Sequence, residues 1–259
     1  MIIDTHCHAG INWFEPVENL IFQMDNNYID KAVLIQHKGS NNHYLYECLN
    51  RFSNKFSIVP ALEWYENLEN QLNEFKDNGA SGIRIYLDYP EIFNNKGDDL
   101  FKNCAEKNLV ISLASNLKTF ASTNFSKLIE RNSKTTFIIE HLAGANNFSK
   151  DKNSYDYFNK VLKMSINNNL FMKIPGLGEI YERPKLLDLN YPFYEIDSKI
   201  LKQVLKSFSS ESLMWGSDFP PVSNREGYKN AFEGIYNLDI FNNQDKKNIF
   251  FKVPEKLFF

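Results

Sequence analysis

The chain reads as an α/β protein, a single closed (β/α)8 TIM barrel, on three observations. Eight short apolar or β-branched runs alternate with longer segments of helical period, and 259 residues is a size that single-domain barrels of this kind routinely reach. The runs fall at residues 2–4, 32–36, 57–61, 82–86, 110–114, 137–140, 171–174 and 213–215. Between the third and fourth, Leu68, Leu72 and Phe75 keep one helical stripe. Before the eighth, Leu201, Val204, Leu205 and Phe208 keep another, so both segments are expected to be core-facing helices. No glycine-rich dinucleotide fingerprint follows the first run, which argues against an open nucleotide-binding sheet. No break in composition or flexible linker divides residues 1–259, and the Asn-rich stretch at 165–169 reads as a turn. One domain is therefore expected.

Bulk properties narrow the partners. With 43% hydrophobic residues the chain has material for one large core, and its net charge of −3 comes from interspersed acids and bases. Without a basic tract or aromatic-basic repeat, nucleic acid is not expected as a partner; a small molecule is. No apolar run is long enough to span a bilayer, so no membrane partner is expected. The chain opens directly in a strand, so no signal peptide is expected. Cys7, Cys48 and Cys104 are odd in number and lack Cys-x-x-Cys spacing, which fits a reduced, cytoplasmic setting. Oligomeric state has no signature in the sequence.

Asp4-Thr5-His6-Cys7-His8, at the end of the first run, is the most informative stretch. Strand alternation sends His6 and His8 to one face and Thr5 and Cys7 to the other. Two imidazoles in one small volume suit a divalent metal, and equally suit polarising an anionic oxygen; the plain alternative is a satisfied core pair. A barrel places its chemistry at the C-terminal ends of its strands, so polar residues should appear as each apolar run stops. They do: His6 and His8, Gln36 and His37, Glu63, Arg84 and Asp88, Glu140 and His141, and Asp218. Surface strand ends alone would account for His37, Glu63 and Asp88.

Three segments in order, Ile3-Asp4-Thr5-His6-Cys7-His8, Phe137-Ile138-Ile139-Glu140-His141-Leu142-Ala143-Gly144 and Met214-Trp215-Gly216-Ser217-Asp218-Phe219-Pro220, resemble the amidohydrolase superfamily. More narrowly they are similar to its amidohydrolase-related branch, which includes amino-carboxymuconate-semialdehyde decarboxylase, pyrone-dicarboxylate lactonase and L-fuconolactonase. Lys173-Ile174-Pro175-Gly176-Leu177 looks like that branch's seventh strand end, and Asn248-Ile249-Phe250-Phe251 like its closing helix. The resemblance implies the distorted barrel of metal-dependent hydrolases. It also implies His6, His8, His141 and Asp218 as the ligands if one divalent metal, zinc foremost, is bound. Metal-dependent relatives carry a further histidine after the fifth strand, where this chain has Ala114-Ser115-Asn116, and Arg84-Ile85-Tyr86-Leu87-Asp88 offers no bridging residue for a second metal. Three imidazoles and a carboxylate still suffice for one zinc. Within the resemblance, the missing histidine points to the lactonase branch, some of whose members work without metal.

Lactone hydrolysis needs a carboxylate to take a proton from water, and Asp218 is the natural general base. His6, His8 and His141 would stabilise the carbonyl oxygen directly or through a metal. Arg84 and Arg183 are candidates for gripping a carboxylate or sugar hydroxyls, Tyr86, Trp13 and Trp64 for an aromatic wall, and Lys173 for a structural pair with Glu140. The expected function is thus a lactone-opening hydrolase. Its rivals are a mononuclear zinc amidohydrolase or decarboxylase on the same barrel, and a non-catalytic binding barrel.

Overall fold

The computed structural model describes residues 1–11, 14–147, 153–181 and 198–259, with the side chains of 145–147 excepted. Trp13 and Arg183 lie outside the described residues. Eight parallel strands are found among them: β1 (Ile3–Cys7), β2 (Lys31–Ile35), β3 (Phe56–Val59), β4 (Gly82–Tyr86), β5 (Val110–Ala114), β6 (Phe137–Ile139), β7 (Leu170–Ile174) and β8 (Leu213–Trp215). They pair in chain order as β1-β2-β3 and as β4 through β8. Short seams join the two sheets. At β3/β4 the Arg84 amide donates to the Pro60 carbonyl (2.7 Å) and the Leu62 amide to the Arg84 carbonyl (3.0 Å). Pro60 has no N–H to give, so β3 stops at Val59 and Ala61 contributes a lone bridge to Arg84. At β8/β1 the Asp218 amide donates to the His6 carbonyl (2.8 Å) and the His8 amide to the Phe219 carbonyl (2.7 Å), closing the ring.

β4, β5 and β8 fall where the apolar runs predict them, residue for residue. β1 runs on to Cys7 rather than stopping at Asp4, because pairing to β2 continues through Thr5-His6-Cys7 across a bulge. Helices Leu68–Asp77 and Lys199–Phe208 occupy the two predicted stripes and bury Leu72, Phe75, Leu201, Val204 and Phe208. No helix among the described residues is long and apolar enough to cross a membrane.

Strand alternation divides the core in two. Outward residues such as Ile83, Ile111, Leu113, Phe137 and Met172 pack under the helices. Inward residues Val33, Ile35, Val59, Val110, Ile138, Phe171 and Met214 form a separate apolar cluster, joined by Val253 and Phe258 of the C-terminal helix Val253–Phe258. Further along the strands the same inward rows become polar, at Arg84, Ser112, Glu140, Lys173 and His6, all buried. The barrel thus has an apolar floor and a charged upper interior, where the strands end.

Candidate active site at the strand ends

β1 delivers His6 and His8 side by side, their ring centroids 5.0 Å apart. Gly216 permits this packing of β8 on β1: a Cβ there would stand 2.5 Å from the His6 Cβ. After β6 the chain turns through four successive left-handed residues, His141 to Gly144, and Asp218 beyond β8 is left-handed too. For residues with a Cβ this conformation costs roughly 1–2 kcal/mol each. Burial of Leu142 and Ala143 and the Ala143 amide's bond to the Glu140 carbonyl (2.9 Å) offset the cost at the first turn. The result places the His141 ring 4.5 Å from that of His6, and Asp218 Oδ1 3.3 Å from His8 Nε2 and 3.9 Å from His6 Nε2. The four residues that the sequence singles out converge.

The hydrogen-bond partners assign the imidazoles. His8 Nδ1 lies 2.6 Å from the Ile35 carbonyl, which only accepts, so Nδ1 carries the hydrogen. Burial lowers the His8 pKa; its Nε2 lone pair then faces Asp218 Oδ1. Burial, followed by the Lys173 charge, pushes His6 well below the ordinary histidine range, so it too is neutral. His6 Nδ1 stands 3.3 Å from Lys173 Nζ, and its Nε2 is buried without a partner. For His141, burial works against charging but is outweighed by Glu179, whose oxygens lie 2.9 and 3.0 Å from Nδ1; its pKa is raised to about 9. His141 is therefore an imidazolium at neutral pH. Burial of Asp218 likewise opposes ionisation and is outweighed by the positive charges of His141 and Arg225, which hold it well below the usual carboxylate range.

Arg225, which the sequence reading missed, places Nη1 2.9 Å from Asp218 Oδ2 and 3.5 Å from Glu179 Oε2. Glu179 was missed as well. Neither follows an apolar strand, so neither carries the signal that marks the histidines. Below them, Arg84 donates to Glu140 Oε2 from Nε (3.2 Å) and Nη2 (2.6 Å), and from Nη1 to the Gln36 carbonyl (3.1 Å). Ser112 Oγ donates to Glu140 Oε1 (2.7 Å). The expected Lys173–Glu140 pair is thus corrected: Arg84 holds Glu140, and Lys173 donates to the Thr5 carbonyl (2.8 Å) and lies 3.4 Å from Ser112 Oγ.

Other strand-end residues serve the loops. Gln36 bonds the Asn41 carbonyl and the His37 amide, Glu63 accepts from the Gly39 amide, and Asp88 pairs with Lys38. His37 Nδ1 lies 2.8 Å from the Lys38 carbonyl. Trp64 is buried and stacked on Tyr89, whereas Tyr86, the last residue of β4, has the Arg84 guanidinium 4.9 Å from its ring. Phe14 stacks on His8 at 4.6 Å.

His6, His8 and Asp218 form a group whose candidate ligand atoms all lie within 4.8 Å of one another, the spacing a single metal ion needs. His8 fits such an ion, with Nδ1–H on a backbone carbonyl and its Nε2 lone pair turned to Asp218. His6 does not. An ammonium on Nδ1 puts the hydrogen of a neutral ring on Nε2, and a ligating nitrogen must present a lone pair.

The architecture is widespread. A probable 2-pyrone-4,6-dicarboxylic acid hydrolase from Acinetobacter baumannii, solved with citric acid bound, superposes with a TM-score of 0.77 at 19% identity, over 99% of this chain and 98% of that one. A Pseudomonas putida protein under the same provisional description gives 0.82 at 18% identity, over 99% and 96%. A Burkholderia multivorans amidohydrolase with bound zinc gives 0.80 at 12%, over 99% and 98%. At these identities the likeness is one of fold. No curated protein sequence matches the chain significantly. The amidohydrolase family model matches residues 3–259, and the chain belongs to that family.

Proposed function

We propose that the protein is a hydrolase that opens a lactone, sugar-derived or dicarboxylic, by attack of water on the ring carbonyl with Asp218 as general base. The observation that carries this reading is the division of the site into two halves. His8 Nε2 and Asp218 Oδ1 are both acceptors, 3.3 Å apart, and a water donating to both would be held with its lone pairs outward. His6 Nε2 and the His141 imidazolium are both donors, on rings 4.5 Å apart, and suit the oxygen on which charge grows during attack. Asp218 takes the proton from water and later returns it to the leaving alkoxide. A carboxylate held so firmly ionised is a weak base, so the reaction leans on the donor half to lower the energy of the oxyanion.

Of the three residues expected to contact substrate, Tyr86 and Arg183 are proposed to do so. Arg84 is turned to Glu140 and the Gln36 carbonyl, so the direct substrate contact expected of it is replaced by a part in orienting the strand ends. The likeness to proteins described as pyrone-dicarboxylic acid hydrolases, one holding citrate, supports an anionic substrate.

Proton release from a panel of sugar and dicarboxylic lactones, followed with chelator-treated protein, tests the reading. Turnover of a lactone without metal is the expected result. Silence that added zinc restores would overturn it in favour of a mononuclear zinc enzyme, and silence under both conditions would leave a binding barrel. Asp218→Asn should abolish turnover, by about four orders of magnitude or more as for other lost general bases, while sparing ligand binding measured by calorimetry.

A further inference from the structure

Lys173 is a buried cation with no carboxylate on it, set under the imidazole of His6. In its ordinary ammonium form a lysine brings three N–H donors and no acceptor. Following the hydrogens through its neighbours shows what it is for. Arg84 supplies donors only, so Glu140 accepts from it, and Glu140 Oε1 also accepts from Ser112 Oγ–H. Having spent its one hydrogen, Ser112 Oγ offers Lys173 a lone pair at 3.4 Å. The Thr5 carbonyl, 2.8 Å from Nζ, offers another. Two N–H groups of the ammonium are thereby assigned, and the third meets His6 Nδ1 at 3.3 Å. With Nδ1 accepting, the single hydrogen of the neutral His6 ring sits on Nε2, the atom that is buried, without a partner, and directed toward Asp218 and the site.

From this chain of partners we infer that Lys173 is a positioning residue. It fixes His6 as the Nε2–H tautomer, making that imidazole a hydrogen-bond donor to the substrate's carbonyl oxygen in place of a metal ligand. The inference rests on the lactonase reading for the identity of the acceptor, but the tautomer itself does not. Its opposite is His8, just past the end of β1, whose Nδ1 faces a carbonyl and whose Nε2 therefore carries the lone pair. Two histidines one residue apart, with opposite partners behind them, present a donor and an acceptor to the same small volume. The Arg84–Glu140 pair contributes by orienting Ser112, which orients Lys173.

The decisive measurement needs neither substrate nor variant. In chelator-treated, histidine-15N-labelled wild-type protein, a long-range 1H–15N correlation spectrum at neutral pH, with His6 assigned by comparison with His6→Gln, should show a protonated Nε2 and an unprotonated Nδ1. A protonated Nδ1 on His6 overturns the inference. Lys173→Met then gives a second readout: zinc affinity, read by competition with a chelating dye, should rise at least about tenfold, as changes behind a ligating histidine alter affinity 10–100-fold. Equal or weaker zinc binding by the variant, with the fold intact by circular dichroism, also counts against it. Because both readouts are taken without substrate, an Nε2–H tautomer in a protein that opens no lactone would sink the proposed function alone. Lactone turnover with the reverse tautomer would sink only this inference.

Discussion

His141 is the residue whose protonation the surroundings fix most clearly. Its folded pKa is raised from 6.5 to about 9, so its contribution to stability is complete below the unfolded value and is lost as pH rises through about 9. If the imidazolium is the form that meets the developing oxyanion, activity should fall along an alkaline limb near that value. Replacing the paired carboxylate, as Glu179→Gln, removes the main cause of the shift. The limb should then move down toward neutrality, and at pH values well above the displaced limb kcat should lie about 10²–10³-fold below its plateau, the usual cost of losing one oxyanion donor. An unmoved limb in the variant would show that another group sets the profile. His6, His8, His141 and Asp218 were legible because each stands at or just beyond the end of an apolar run. Glu179, Arg225 and the role of Lys173 were not: their meaning lies in which side chain of another element they face, and a charged residue in a loop looks the same whether it faces water or Asp218.

Among the elements, β4 and β6 are bound together by charge inside the barrel. Arg84 and Glu140 are 6% and 3% exposed, and their contact is a 2.6 Å hydrogen bond between full charges out of reach of solvent. Removing one partner strands the other, and such losses cost about 3–5 kcal/mol. Glu140→Gln should therefore lower the urea midpoint markedly. The pair also sets acid stability. Despite burial, the Arg84 and Lys173 charges lower the Glu140 pKa from 4.5 to about 2. Its stabilisation is thus present above 4.5 and is lost as pH falls toward 2, a loss that Glu140→Gln should not show in pH-dependent denaturation. The strands themselves were readable because period-2 patterning and β-branched content mark them. β3 was read two residues too long at its end, since the apolar character of Pro60 and Ala61 hides the missing amide that stops pairing. Likewise, charged residues in β4 and β7 could be seen in the sequence, but not which of them would pair, because partner choice depends on the stagger between strands.

For the whole molecule, the barrel needs its floor sealed as much as its top shaped. The C-terminal helix does this. Phe258 is 4% exposed and packs with Val253 against inward-facing Val33, Val110 and Phe171. It also lies beneath the charged layer, its ring centroid 5.7 Å from Lys173 Nζ. Lys31 and Glu255, 3.3 Å apart, fasten the same helix to β2 near the surface, a contact worth little by itself. The seal therefore rests on apolar burial, and a cavity opened there would lie between the floor and the ammonium that orients His6. Phe258→Ala should destabilise the protein by about 3–5 kcal/mol, as for other buried aromatic truncations. The denaturant slope should stay unchanged if the barrel still unfolds as one unit. An equally aromatic but exposed position gives the control: Tyr28 is 86% exposed, and Tyr28→Ala should shift stability by no more than about 0.5 kcal/mol. If the two variants unfold at the same midpoint, the helix is not the floor of the barrel. If instead Phe258→Ala lowers the midpoint and lowers the slope as well, the barrel has lost its cooperativity, and floor and site belong to separately unfolding parts.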